Sequence, residues 1–132
     1  MRLGINGWRL CGPRTGVARY LLNVIRHWYG EQFAYLLAKL DAVPEGNGTM
    51  LDNTVVLFGS EISRGNTHSK MDIPFIMAGS CGGYFKTGQY LTFDGERPHN
   101  DLLVALANAL GHPITTFGEE EYCKGAMPGL TV

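Results

Sequence analysis

The run from Leu51 to Gly83, LDNTVVLFGSEISRGNTHSKMDIPFIMAGSCGG, constrains the fold more than any other part of this chain. Thr54 to Phe58 is an apolar strand pattern without alternation, and Ile73 to Ala78 is a second. Strands that are apolar on both faces belong to parallel sheets covered by helices. The first strand leads to a carboxylate, Glu61. A polar loop, Ser63 to Asp72, then delivers His68 ahead of Pro74. In open α/β sheets, ligand groups gather beyond the carboxyl ends of the strands. The run therefore predicts ionisable groups at one edge of a parallel sheet, placed there by loops in which glycine permits tight backbone turns.

The flanking segments carry helical spacing. Met1 to Asn6 reads as a short strand and Gly7 to Thr15 as a loop, after which Thr15 caps a helix starting at Gly16 or Val17. Val17, Tyr20, Leu21, Val24, Ile25 and Trp28 then recur at three- and four-residue steps. Gly30 interrupts the pattern; Phe33, Leu36, Leu37 and Leu40 resume it to about Ala42, and Pro44 to Gly48 breaks it. Gly79 to Gly88 is a glycine-rich turn region, and Tyr90 to Phe93 is a candidate edge strand. Asn100 is the expected N-cap of a helix opened by Asp101 and closed by Gly111. Thr115 to Val132 has no period and reads as an ordered arm or a frayed end. The predicted fold is α/β: a small, mostly parallel sheet with strands near 1–6, 54–59 and 73–78, flanked by helices near 16–28, 31–42 and 100–110.

At 132 residues the chain is about one domain long. Its charged content of 17% is below the ~25% of a typical domain, which with 18 glycines points to buried strand and many loops rather than to disorder. A net charge of -1 argues against a nucleic-acid partner, which calls for a basic excess. Cys11, Cys81 and Cys123 have no CxxC spacing, so they predict neither a disulfide framework nor a zinc site. No segment reaches the ~20 apolar residues of a membrane span. The first residues, MRLGINGWRL, lack a basic stretch followed by a long apolar run, so a cytoplasmic location is expected.

Three groups of residues are candidates for binding. Glu61, Asn66 and His68 can converge on one ion, and zinc or manganese accepts such oxygen and imidazole ligands. The bland alternative, a solvated loop in which His68 bonds a carbonyl, is the commoner case. His99 precedes a helix and is either a further ligand or part of a helix-start cluster with Asn100 and Asp101; the cluster is favoured, with Asp101 complementing the helix dipole. His112 follows Gly111 and is assigned no functional role. Arg14, Thr15 and Gly16 follow the first strand and open a helix, which makes either an anion site or a plain strand-to-helix turn. The stretch GSCGGYFKTG has the composition of a phosphate loop without its GxxxxGK[ST] spacing.

Residues 1–28, MRLGINGWRLCGPRTGVARYLLNVIRHW, resemble the opening of retaining glycosyltransferases built from two Rossmann domains, through the string Thr15-Gly16-Val17-Ala18-Arg19-Tyr20. That resemblance covers about a fifth of the chain and leaves out the donor-binding domain. Residues from about Trp28 to Thr131 resemble the C-terminal part of a bacterial, usually exported family named for an HXXSHH signature. The matching strings, in chain order, are EQFAYLLAKLDAVPEG, GTMLDNTVVLFGSE, GNTHSKMDIPFIMAG, GGYFKTGQYL, PHNDLLVALANALG and TTFG. The signature itself is not in this sequence.

That family looks related to alkaline-phosphatase-like metalloenzymes. In phosphoglycerate mutases of that superfamily a strand ends in an Asp-His pair, and a later histidine precedes a strand that starts with Pro. Here Ser60-Glu61 stands at the pair and His68 at the later histidine. The resemblance implies an alkaline-phosphatase-like C-terminal fragment, with its nucleophile and remaining ligands upstream of the matching segment. The two resemblances divide the chain into 1–28 and 29–132 and imply a chimera. The expected function is a metallohydrolase-like segment of the phosphatase or sulfatase type, inactive alone, that needs its missing half or an oligomeric partner. A nucleotide-sugar enzyme and a non-catalytic interaction domain are the alternatives.

Overall fold

The computed structural model describes residues 26–63, 67–93 and 97–132, with side-chain exposure from residue 28 onward. The predicted strand at 1–6, most of the helix near 16–28 and the candidate anion site Arg14, Thr15 and Gly16 lie outside the described residues, as does Asn66. A π-helical turn, Arg26–Gly30, runs into helix α1, Glu31–Asp41. Gly30 does not break the path, because it takes ordinary helical angles, φ -66 and ψ -40.

Strands β1, Pro44–Glu45, and β2, Gly48–Thr49, form a two-residue-deep hairpin from the PEGNG string, with Pro44 opposite Thr49. Gly46 makes its turn at φ 59, a conformation that costs glycine nothing. A one-turn helix, α2, spans Met50–Asn53. It starts from a capping box: the Asp52 carboxylate accepts a hydrogen bond from the Thr49 amide at 2.8 Å and from the Thr49 hydroxyl at 3.1 Å.

Strands β3, Val56–Gly59, and β4, Phe75–Ala78, pair antiparallel, with Val56 opposite Ala78 and Gly59 opposite Phe75. Helix α3 covers Asn100–Ala109, and a 3₁₀ turn follows at Glu120–Tyr122.

This corrects the sequence expectation of a mostly parallel sheet flanked by helices. Among the described residues there are two separate two-stranded antiparallel sheets and three α-helices. The physical reason lies in the connection. Parallel neighbours need a crossover of a dozen or more residues, usually a helix. Residues 60–74 carry no helical spacing, and their described part holds no helix, so the chain folds straight back. Alternation was present too: Val56 and Phe58 turn inward while Leu57 and Gly59 are exposed, as on a sheet covered on one face. Tyr90 to Phe93 forms no strand.

The core sits where α1 crosses this ribbon. Phe33 and Leu37 from α1, Leu51 from α2 and Ala78 from β4 are buried together, with Leu40, Val56, Phe58 and Ile76 around them. The Phe33 and Phe58 rings pack with centroids 5.2 Å apart. The glycine-rich stretch closes this core. Gly82 N–H donates to Asp52 O at 2.8 Å and Cys81 N–H to Thr54 O at 3.1 Å, while the Ser80 hydroxyl donates to Asp52 O at 2.7 Å. These bonds occupy carbonyls that the one-turn helix leaves without partners. The stretch therefore binds the chain's own backbone.

Helix α3 ends as its glycine predicts. Gly111, at φ 80, lets His112 N–H reach Ala107 O at 2.9 Å and Gly111 N–H reach Asn108 O at 3.1 Å, a Schellman closure. Its start differs from expectation. His99 occupies the cap position without a side-chain cap bond, and Asn100 is already the first helical residue. The Asn100 side chain instead donates to Phe117 O at 2.9 Å.

The C-terminal segment is an ordered arm. Met127 N–H donates to Asp101 O at 2.9 Å, Lys86 N–H to Leu130 O at 2.8 Å, and Val132 N–H to Tyr84 O at 3.3 Å. Gln89 Nε2 donates to Gly129 O at 2.6 Å. Thr131 forms a β-bridge with the buried Phe85.

Candidate functional site

The antiparallel pairing builds a cleft by a route different from the one the parallel sheet implied. Because Gly59 lies opposite Phe75, the segment leaving β3 and the segment entering β4 share one end of the ribbon. Ser60, Glu61 and Ile62 line the cleft from the first, and Lys70, Ile73 and Phe75 from the second. His99, at the start of α3, completes it, with its ring centroid 6.3 Å from that of Phe75. The cleft has a volume of about 370 Å³, at the low end of the ~300–1,000 Å³ range of small-molecule sites.

Local bonds set each wall. The Ser60 hydroxyl donates to Ile62 O at 2.9 Å, a tight turn that leaves the Glu61 side chain exposed. The loop is pinched farther along. Ser63 N–H and its hydroxyl both donate to Ser69 O, at 2.8 and 3.1 Å. Lys70 leaves this pinch toward the cleft, while His68 sits in an exposed turn at φ 49. On the far wall, Arg97 and Asp101 flank His99. Arg97 Nε lies 2.6 Å from Asp101 Oδ2, and Asp101 is fully buried. Among the described residues, the side chains of Glu61, Lys70 and His99 have no ion-pair or hydrogen-bond partner. The cleft lining therefore combines a carboxylate, an ammonium and an imidazole with the apolar side chains of Ile62, Ile73 and Phe75.

Of the three side chains predicted as metal ligands, Glu61 and His99 line this cleft and His68 is not among its lining residues. No group of three or more His, Cys, Asp or Glu residues that could hold a metal ion occurs among the described residues. Glu61 and His99 are two candidate ligands, and zinc sites use three or four protein ligands. Lys70 was missed at the sequence level. Its only signal was a position three residues before Ile73, in the segment read as a polar loop.

Asp101 was also read differently, as a dipole partner. It is instead a buried anchor that accepts Lys124 N–H at 2.7 Å. Cys81 and Cys123 are free thiols. No helix among the described residues is long and apolar enough to cross a membrane. The chain matches no protein-family description, no curated protein and no solved structure.

Proposed function

We propose that this chain is a hydrolase-like segment of the phosphatase or sulfatase type that contributes one wall of a ligand-facing cleft and does not turn over substrate by itself. The observation that carries the reading is the meeting of Glu61 and His99 at one cleft, although 38 positions separate them in the chain. Glu61 stands at the position of the superfamily's Asp-His pair and His99 belongs to the matching string PHNDLLVALANALG, whereas His68, at the later histidine, does not line the cleft. The order of the matching strings from Glu31 to Gly118 also supports it.

The inactivity follows from what ester hydrolysis demands. Metal-assisted attack needs an activated nucleophile and a metal held by enough ligands to leave one open position. Glu61, Lys70 and His99 supply charge and hydrogen bonding but not that set. A nucleophile and further ligands would come from a second polypeptide segment seated against the cleft. The test is release of p-nitrophenol from its phosphate and sulfate esters with added zinc, manganese or calcium. No turnover above the protein-free rate is expected. Metal-dependent turnover that disappears in Glu61→Gln would overturn the reading.

A further inference from the structure

We infer that the cleft binds a small zwitterion with an apolar side chain, of which a free aliphatic α-amino acid is the simplest member. The inference rests on the reading of this cleft as the ligand-facing surface and adds the class of ligand it takes.

Three observations carry it. First, the cleft presents both signs of charge. Glu61 and Lys70 stand on opposite limbs of one loop, and neither has a partner among the described residues. Had the two neutralised each other in a salt bridge, the site would have offered little to a charged ligand. Second, Ile62, Ile73 and Phe75 give the same lining an apolar part. A ligand with one cationic and one anionic end satisfies both side chains while its hydrocarbon part covers those apolar residues. Third, the volume of about 370 Å³ lies within the ~300–1,000 Å³ range of small-molecule sites.

His99 adds a hydrogen-bonding ring. Its ring packs on Phe75, and its backbone lies between Arg97 and Asp101, which the buried ion pair holds together. The amine end of the ligand is assigned to Glu61 and the carboxylate end to Lys70 and His99, because an ammonium repels Lys70 and a carboxylate repels Glu61.

The test is an NMR titration of the whole chain with L-leucine, followed through the backbone amides of Glu61, Ile62, Lys70 and His99. Saturable shifts confined to these positions are expected. Glu61→Gln and Lys70→Gln should each weaken binding about two- to fivefold, the range of exposed charge pairs. N-acetyl-leucine and leucinamide, each lacking one charge, should lose affinity to the same degree. Both variants place the substitution on an exposed side chain, so folding is retained and is checked by the unchanged amide spectrum elsewhere. Shifts that fail to saturate overturn the proposal. So does binding that responds to one charge and not the other, or inorganic phosphate shifting the same amides at lower concentration than leucine. Ester turnover in the assay above would instead sink the inactive-segment reading and leave the leucine titration as a separate result.

Discussion

Asp101 and Arg97 form a buried ion pair, Oδ2 to Nε at 2.6 Å, and the same aspartate holds the C-terminal arm. Its Oδ1 accepts Lys124 N–H at 2.7 Å and its carbonyl accepts Met127 N–H at 2.9 Å. Arg97 Nη2 reaches Ala126 O at 3.4 Å. The pair is an off-line contact rather than an aligned hydrogen bond, since neither Nε nor Oδ2 finds a hydrogen-bond partner. One carboxylate thus joins the start of α3, the His99 wall of the cleft and a segment more than twenty residues away.

Removing that carboxylate should be costly. Asp101→Ala leaves the Arg97 guanidinium without its counter-charge; breaking a fully buried pair costs ~3–5 kcal/mol, and because Arg97 is 25% exposed the loss should fall below that range. Urea denaturation should show that loss, and limited proteolysis should cut the arm near Lys124 in the variant first. Equal stability and an equally protected arm would contradict the anchoring role.

Gly79 and Gly82 separate space from conformation. Both have positive φ, 87 and 70. A Cβ on Gly79 would fall 2.6 Å from Leu51 O and against Thr54 O, whereas a Cβ on Gly82 meets nothing within 4 Å. Gly82→Ala should cost ~1–2 kcal/mol, the left-handed penalty alone. Gly79→Ala adds a clash with backbone that cannot move aside and should cost clearly more. Thermal denaturation of the two variants side by side measures the difference. Equal losses would show that the close approach at Gly79 does not matter.

Helix α1 offers a neighbouring contrast. Leu37 is 4% exposed and Leu36 is 45% exposed. Leu37→Ala should lose ~2–5 kcal/mol through its cavity in the Phe33–Phe58 core. Leu36→Ala should stay within ~0.5 kcal/mol. Reversal of that order in chemical denaturation would mean that α1 presents a different face to the core.

Much of the local structure was legible in the sequence, and the pairing was not. The α1 and α3 boundaries follow from three- and four-residue spacing and from Gly111. These are local signals, written within a few residues of the element they specify. Thr54 to Phe58 and Ile73 to Ala78 were found as extended segments, but strand direction depends on residues 60–74, whose polar composition says nothing about where they go. Thr49 and Asp52 did carry a readable capping signal for α2, hidden by the strand pattern that begins right after it.

The cleft was half legible for a related reason. Glu61 and His99 stand out by residue type. Lys70 and Phe75 gain meaning only once Gly59 is known to lie opposite Phe75. Asp101 looked like a dipole partner because the arm that buries it has no periodicity to announce its docking.

The two candidate histidines should behave differently. His68 is exposed in its turn, and His99 lines the cleft against Phe75. His68→Ala should change stability by less than ~0.5 kcal/mol and leave the leucine titration unchanged. His99→Ala should weaken that titration measurably. If His68→Ala abolishes the response and His99→Ala does not, the cleft has been assigned to the wrong histidine.

Gly59 connects the ribbon to the cleft. A Cβ built there would strike the Phe75 ring, with Cε1 at 2.7 Å. The ring therefore lies over the bare glycine backbone of the opposite strand, the position from which it reaches His99. Gly59→Ala must push the ring aside, and the ring belongs to a side chain that can rotate, so the cost should be modest, ~1–3 kcal/mol as in other overpacked sites. The larger effect should be on the cleft. With the ring displaced, the His99 ring protons should lose their wild-type chemical shift. Gly59→Ala combined with Phe75→Leu, which removes the clashing ring edge, should regain most of the stability without restoring that shift. A His99 proton spectrum identical in wild type and Gly59→Ala would show that Phe75 does not hold its place over Gly59, and the lining of the cleft would have to be redrawn.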